Sequence, residues 1–124
     1  MAHNDVLLIG FDPHSVPGID AALVETAIAM GDVRLRQHGF ETDYCLVAPG
    51  ATDDEFVSAL ERKRYDCVVV GGGIRKPEPF LPLFERVVNL IRRHAPQAAI
   101  AFNTTGENSV DAVLRWLPDA AATA

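Results

Sequence analysis

The stretch that decides the fold is DCVVVGGGIRK, residues 66–76. It opens with the apolar run Cys67–Val70, continues through three glycines and ends on a basic pair. A continuous apolar run of this length is typical of a strand that is covered on both faces. Because glycine has no Cβ, glycines directly after such a strand let the backbone approach a ligand closely. The stretch therefore predicts a buried parallel strand followed by a candidate binding loop.

Apolar runs alternate with segments of helical periodicity along the rest of the chain. Strands are predicted over residues 6–11, 40–47, 67–70 and 98–102, and helices over 19–38, 52–64, 82–94 and 109–117. Such alternation predicts a parallel sheet covered on both faces, and right-handed crossovers restrict its strand order. We therefore predict one α/β domain over residues 1–124, with a three-layer, doubly wound sheet of four strands in the order 2-1-3-4 and a flexible tail over 118–124. This arrangement looks like a small flavodoxin-like or receiver-like domain, a fold that serves many functions.

The first predicted helix contains a glycine and ends at another. Gly31 inside it should weaken the helix by about 1 kcal/mol relative to alanine, and it indicates close packing against a neighbour. Gly39 follows the last periodic residue, where helices commonly end. The stripe expected to face the core consists of Ile19, Leu23, Ala27 and Met30, with Val24 and Ile28 beside it.

The second and third predicted helices have recognisable beginnings. Thr52 and Glu55 form a capping box, and the helix that follows should bury Phe56 and Leu60 and end near Arg64. Three prolines within residues 77–82 remove backbone donors and fix φ, so this segment is predicted to be a rigid loop that leads into the next helix.

The loops at one edge of the predicted sheet hold the candidate site. In open α/β sheets, ligands bind beyond the carboxyl ends of the strands, at the point where the strand order reverses. In the order 2-1-3-4 this point lies between the first and third strands, so the loops at 12–18 and 71–76 should face each other, with 103–106 alongside. The candidate catalytic residues are Asp12 and His14, and the candidate ligand-binding residues are Ser15, Gly71, Gly72, Gly73, Arg75, Lys76, Asn103, Thr104 and Thr105.

Each group of candidates has both a functional and a structural interpretation. Asp12 and His14 form an acid–base pair or bind a metal, or Asp12 caps a turn while His14 is merely exposed. The three glycines bind an anion through their N–H groups, or they form a tight turn with close helix–sheet packing. Arg75 and Lys76 pair with an anion held by the glycines, or they are a solvated loop pair.

The sequence lacks the familiar catalytic and cofactor motifs. The glycine run has neither the Gly-Lys-Ser/Thr ending of a P-loop nor the G-x-G-x-x-G spacing of dinucleotide-binding proteins, and there is no G-x-S-x-G elbow. No metal site is predicted, since His38 and His94 fall at the opposite edge of the sheet and both cysteines lie within strands. We predict no cofactor.

The loop DPHSVPG, residues 12–18, resembles the D-x-H-x-x-G loop of cobalamin-binding domains. In that family the histidine binds cobalt on the same kind of fold, so the resemblance implies that role for His14. The sequence departs from the family in three ways. Its loop is one residue longer before the glycine, its S-x-L at residues 58–60 falls inside a predicted helix, and its glycines follow the third strand with no room for an intervening unit. Cobalamin is therefore not predicted as a cofactor.

A second resemblance is to the receiver domains of phosphorelay signalling. That family has a phosphoacceptor aspartate at the end of the third strand, an acidic pair after the first and a lysine after the fifth. Here Gly71 stands at the acceptor position, Asp12 is single and no fifth strand is predicted. The resemblance therefore implies a degenerate receiver-like module that binds something other than a phosphoryl group.

Composition restricts the expected partners and location. The net charge of −6 repels a polyphosphate backbone, so nucleic acid is not a predicted partner. No apolar run approaches the roughly 20 residues that a membrane span needs, and the N-terminus lacks the pattern of a signal peptide. Cys45 and Cys67 lie in apolar runs and are expected to be buried free thiols, which favours a reducing, cytoplasmic location.

Three classes of function are compatible with the sequence. We favour a binding or regulatory module that holds a small anionic ligand, such as phosphate, a nucleotide or a carboxylate, between residues 12–15 and 71–76. The second class is a small enzyme in which Asp12 or His14 transfers a proton and the glycine amides stabilise an oxyanion. The third is an interaction protein, including a homodimer formed through the fourth strand and the last helix, with Trp116 as an anchor.

Overall fold

The computed structural model describes residues 4–121 and contains a four-stranded, all-parallel sheet in the order β2-β1-β3-β4. The strands are β1 (Asp5–Phe11), β2 (Glu41–Val47), β3 (Cys67–Val70) and β4 (Ala99–Phe102). The helices are α1 (Ala21–Gln37), α2 (Asp53–Leu60), α3 (Gly72–Arg75), α4 (Leu81–His94) and α5 (Ser109–Leu114), with 3-10 turns at Pro13–Ser15, Glu78–Phe80 and Gly106–Asn108. This confirms the predicted three-layer, doubly wound fold of the flavodoxin-like type.

Two hydrophobic clusters lie on opposite faces of the sheet. Successive residues of β1 divide between them, because side chains alternate across a strand. Leu7 and Ile9 belong to the cluster that contains residues of α2 and α4, whereas Val6 and Leu8 belong to the cluster that contains residues of α1 and α5. The central strands are buried on both sides, which explains their continuous apolar sequences.

The face that α1 buries differs from the prediction. Leu23 is 67% exposed and Met30 is 43% exposed, and Ile19 precedes the helix and is also exposed. Leu35, by contrast, is 1% exposed. The side towards the sheet is formed by residues at i, i+4, i+7 and i+11, namely Val24, Ile28, Gly31 and Leu35. Because both sides of α1 are apolar, periodicity alone does not identify the buried one.

Two predicted helices are shorter than expected. α2 ends at Leu60 rather than near Arg64, with Glu61 as its C-cap, and Lys63 beyond it lies 3.2 Å from Asp43. α5 ends at Leu114 rather than Leu117, and its last turn tightens. α1 does end as predicted, since Gly39 has a φ of +82°.

The end of the described chain lies against the end of α1. Asp119 Oδ2 is 2.7 Å from His38 Nδ1, and the Ala121 amide donates to the His38 carbonyl at 2.8 Å. The flexibility predicted for residues 118–124 stays a prediction, and 122–124 lie outside the described residues. No helix within residues 4–121 is long and apolar enough to cross a membrane.

Candidate functional site

A cleft of about 470 Å³ lies at the carboxyl ends of the central strands. Three loops and the N-terminal half of α1 form it, so it occupies the predicted switch point. Its loop side is formed by Gly71, Gly72, Gly73, Asn103, Thr104 and Thr105. Its apolar walls include Phe11, Val16, Ile19, Val24, Ala27 and Phe80.

The glycine segment is one helical turn and not an irregular loop. α3 covers Gly72–Arg75, and none of the three glycines has a positive φ. A Cβ on Gly71 would lie 3.3 Å from the Ile9 carbonyl oxygen, and one on Gly72 would lie 3.1 Å from the Thr104 carbonyl oxygen. Close packing therefore accounts for the first two glycines. A Cβ on Gly73 would meet only a side-chain atom of Phe11, at 3.7 Å, so this position has space on the wall of the cleft.

The Asn103 side chain links the glycine turn to the loop after β4 through hydrogen bonds. Its side chain is buried, and its Oδ1 accepts from the Gly72 amide at 3.1 Å. Its Nδ2 donates to Ser109 Oγ at 2.9 Å, and that hydroxyl donates to the Gly106 carbonyl at 2.9 Å. Asn103 is thus a positioning residue that holds two walls of the cleft together, rather than a free hydrogen-bonding group for a ligand.

The two basic residues after the glycines also bind the β4 loop. Arg75 Nη2 donates to the Asn103 carbonyl at 3.0 Å, and its guanidinium lies 5.7 Å from the centre of the Phe102 ring. Lys76 Nζ donates to the Thr104 carbonyl at 3.0 Å. Neither residue lines the cleft. Their positive charges therefore join two loops instead of facing the space between them.

Thr104 and Thr105 border the cleft on the same loop. Their amides both donate to Asn108 Oδ1, at 3.1 and 3.2 Å, and the Asn108 amide nitrogen donates to the Thr104 hydroxyl. Asn108 thereby closes the turn and leaves the two threonines at the rim. Each threonine hydroxyl accepts a hydrogen bond from Asn108 and keeps its own O–H, which it can donate to a ligand in the cleft.

Asp12, His14 and Ser15 form a capped turn. Asp12 Oδ1 accepts from the His14 backbone amide at 3.0 Å, and Ser15 Oγ donates to the Asp12 carbonyl at 2.6 Å. The His14 ring instead contacts Glu25, with 2.7 Å between Nε2 and Oε1, and its side chain is 65% exposed. The two candidate catalytic side chains are therefore not joined, and neither lines the cleft.

A shallower depression of about 350 Å³ lies on the other side of this turn. Asp12, Glu25, Asp32 and Tyr44 contribute its polar groups. Burial acts to raise the pKa of Asp32, but hydrogen bonds from Tyr44, at 2.6 Å, and from Arg36 outweigh it and lower that pKa. Burial and the Asp32 carboxylate raise the pKa of Tyr44. No group of three or more potential metal ligands occurs within residues 4–121.

The two cysteines are buried and unbridged, as predicted. Burial raises the pKa of the Cys67 thiol to about 12 and also raises that of Cys45. A thiol becomes nucleophilic as the thiolate, so neither cysteine is a candidate nucleophile.

Comparisons of the chain with protein-family models, with curated proteins and with solved structures gave no match.

The sequence identified the loops of the cleft but not its apolar walls. The sequence predicts Ile19, Val24 and Ala27 in or beside the core-facing stripe of the first helix, whereas they line the cleft. Apolar residues occur on both sides of α1, whereas a single packed face requires them on one side only. This excess is the sequence signal that indicates a second apolar surface.

Proposed function

We propose that this protein is a small-molecule-binding module whose site is the cleft at the ends of β1, β3 and β4. The cleft itself supports this function. Its volume of about 470 Å³ lies within the range typical of ligand sites, roughly 300–1,000 Å³. It also lies at the switch point, where doubly wound sheets bind ligands.

The lining favours a ligand with an apolar body and one polar end. Ile19, Val24 and Ala27 offer carbon surface on one side, and Thr104 and Thr105 offer polar groups at the rim. Apolar walls with a few polar groups that orient the ligand are the usual composition of such sites.

The charges near the cleft favour a neutral ligand over the anion expected from the sequence. Arg75 and Lys76 donate to carbonyls of the β4 loop, and the whole chain has a net charge of −6. An anion would therefore gain little electrostatic attraction. An anionic ligand is the alternative, since the backbone of Gly73, in the first turn of α3, lies on the cleft wall.

A binding role is preferred to an enzymatic one because the site lacks an assembled acid–base pair. The His14 ring contacts Glu25 in an exposed position, and Asp12 caps the turn. General acid–base catalysis needs such groups within hydrogen-bond reach of a bound substrate.

Two compounds of the same shape test the proposal, 2-naphthamide and 2-naphthoate, which differ in charge. NMR titration should show that 2-naphthamide shifts the Ala27 methyl signal and the amide signals of Thr104 and Thr105. Ala27→Phe should fill the cleft and weaken binding about tenfold or more, whereas Ser58→Phe, on the exposed side of α2 in the opposite helical layer, should leave it unchanged.

The outcomes separate the two ligand classes. Binding of 2-naphthoate alone would replace the neutral ligand with the anionic alternative. If neither compound shifts these signals, or if Ala27→Phe does not weaken the shifts, the cleft is not the binding site that we propose.

A further inference from the structure

The outer side of α1 is an uncharged, largely apolar surface. We call it the α1 ridge and define it as the exposed residues Ala22, Leu23, Thr26, Ala29, Met30 and Val33. Leu23 and Val33 are 67% and 55% exposed. These positions follow a helical period along the side opposite Leu35, so they form one continuous strip. A helix that is apolar on both sides is typically covered on both sides.

Exposed apolar residues are distributed unevenly over the two helical layers. In the described residues, the layer formed by α1 and α5 carries Ile19 and Trp116 in addition to the ridge. The layer formed by α2 and α4 exposes one large apolar side chain, Leu81. An apolar surface confined to one layer marks an interaction site.

The charges at the two ends of the ridge are complementary to each other. Asp20 caps the beginning of α1 and is exposed, and Arg34 lies in the last turns on the same flank with a side chain 45% exposed. Arg34 donates to the Glu107 carbonyl at 3.2 Å and forms an ion pair with its carboxylate at 3.4 Å, and it stays partly exposed. The two ends of the ridge therefore carry exposed side chains of opposite charge.

We propose that the α1 ridge is the interface of a homodimer in which the two α1 helices pack antiparallel about a two-fold axis. A two-fold axis beside residues 26 and 27 brings Asp20 of one protomer next to Arg34 of its partner, because both residues are seven positions from the axis. The same axis places Leu23 opposite Met30 and Ile19 near Val33. An interface of this kind must be self-complementary, and this strip meets that condition in both shape and charge.

The dimer would also cover one side of the ligand cleft. Leu23 belongs to the ridge and also lines the cleft, and Ile19 lines the cleft beside the ridge. Met30 belongs to the ridge but does not line the cleft. A substitution at Met30 therefore tests the interface without altering the cleft.

Sedimentation velocity over a wide concentration series tests the interface. The wild-type chain should dimerise, and Met30→Glu and Leu23→Glu should each raise the dissociation constant on the order of 100-fold, since each change enters the interface twice. Leu81→Glu, a matched change on the opposite layer, should leave the constant unchanged. A chain that is monomeric at every concentration would overturn the proposal. So would a dimer that only Trp116→Glu disrupts, because its interface would lie at α5.

Engineered cysteines test the antiparallel arrangement. Thr26→Cys lies beside the axis, so its two copies should form an intermolecular disulfide under oxidation. Val33→Cys lies six residues from the axis, so its copies should be about 18 Å apart and should not crosslink. The native thiols are buried and do not compete. Crosslinking at both positions would indicate parallel helices, and crosslinking at neither would exclude this interface.

Discussion

The carbonyl oxygen of Gly106 lies 2.0 Å from the position that a Cβ atom on Gly31 would occupy. In return, a Cβ on Gly106 would lie 3.0 Å from the backbone nitrogen of Ile28. α1 and the turn after β4 therefore pack backbone against backbone at this point. Since that turn also borders the cleft, the contact sets the distance between two of its walls.

Gly31→Ala should destabilise the protein by about 2 kcal/mol or more, because the new methyl group would overlap a backbone carbonyl that has little room to move. Helix propensity alone predicts instead that Gly31→Ala stabilises the protein by about 1 kcal/mol. Urea unfolding of the variant decides between them. Gly50→Ala is the control, since no atom lies within 4 Å of its Cβ position. A Gly31→Ala variant as stable as the wild type would contradict the described contact.

Gly72→Ala and Gly73→Ala should have different effects although both residues lie in α3. The Cβ of the first would meet the Thr104 carbonyl oxygen at 3.1 Å and Lys76 Cε at 3.2 Å, so we expect a loss of about 1 kcal/mol. The Cβ of the second would make only an ordinary contact with Phe11, and alanine should there be neutral or stabilising by up to about 1 kcal/mol. Thermal unfolding of the two variants measures the difference, and equal effects would show that packing does not distinguish the two glycines.

Asn103→Ala should destabilise the fold by about 2–4 kcal/mol. It removes the acceptor of the Gly72 amide and the donor to Ser109 Oγ, and buried groups that lose their partners retain the full cost of desolvation. Chemical denaturation gives the magnitude. Asn89→Ala is the matched control, because the Asn89 side chain is exposed and bonds only to Glu85 of its own helix. If Asn103→Ala lowers the free energy of unfolding no more than the control does, Asn103 does not have the positioning role described above.

The fold was predictable because its signals are local and agree with one another. The continuous apolar runs at β1 and β3 predict buried parallel strands, and the capping box at Thr52 marks the beginning of α2. The handedness of the crossovers then restricts the strand order, and 2-1-3-4 is the doubly wound pattern that the four strands form. The helix ends were less predictable, since Glu61, Arg62 and Lys63 after α2 are all good helix formers and give no local stop signal.

The candidate site was only partly predictable, because the direction of each side chain depends on tertiary contacts. The sequence placed the loops of Gly72, Asn103 and Thr104 together, and the Gly72–Asn103 hydrogen bond brings them into contact. It did not reveal that Arg75 turns towards a carbonyl of the β4 loop, or that the His14 ring contacts Glu25. The acceptor of Arg75 lies on the loop after β4, and the partner of His14 lies on α1. No local sequence pattern therefore predicts either contact.

Tyr65→Phe should destabilise the protein in a pH-dependent manner. Tyr65 is fully buried, and its hydroxyl donates to Asp43 Oδ2 at 2.8 Å. Burial acts to raise the pKa of Asp43, but the bonds from Tyr65 and Lys63 outweigh it and hold that pKa below its ordinary value of 3.8. A carboxyl group whose pKa is lowered by folding stabilises the native state above its unfolded pKa and loses this effect as the pH falls through the folded value.

The loss in Tyr65→Phe should therefore be about 1.5–3 kcal/mol at neutral pH, the range for a hydrogen bond to a charged group, and should shrink below about pH 4 as Asp43 is protonated. Urea unfolding of wild type and variant at neutral and acidic pH measures the change. In an Asp43→Asn background the same substitution should have a smaller effect that is independent of pH over this range. Because phenylalanine preserves the ring and removes only the hydroxyl, a loss that is equal at both pH values with Asp43 present would show that the bond to the ionised carboxylate is not its source.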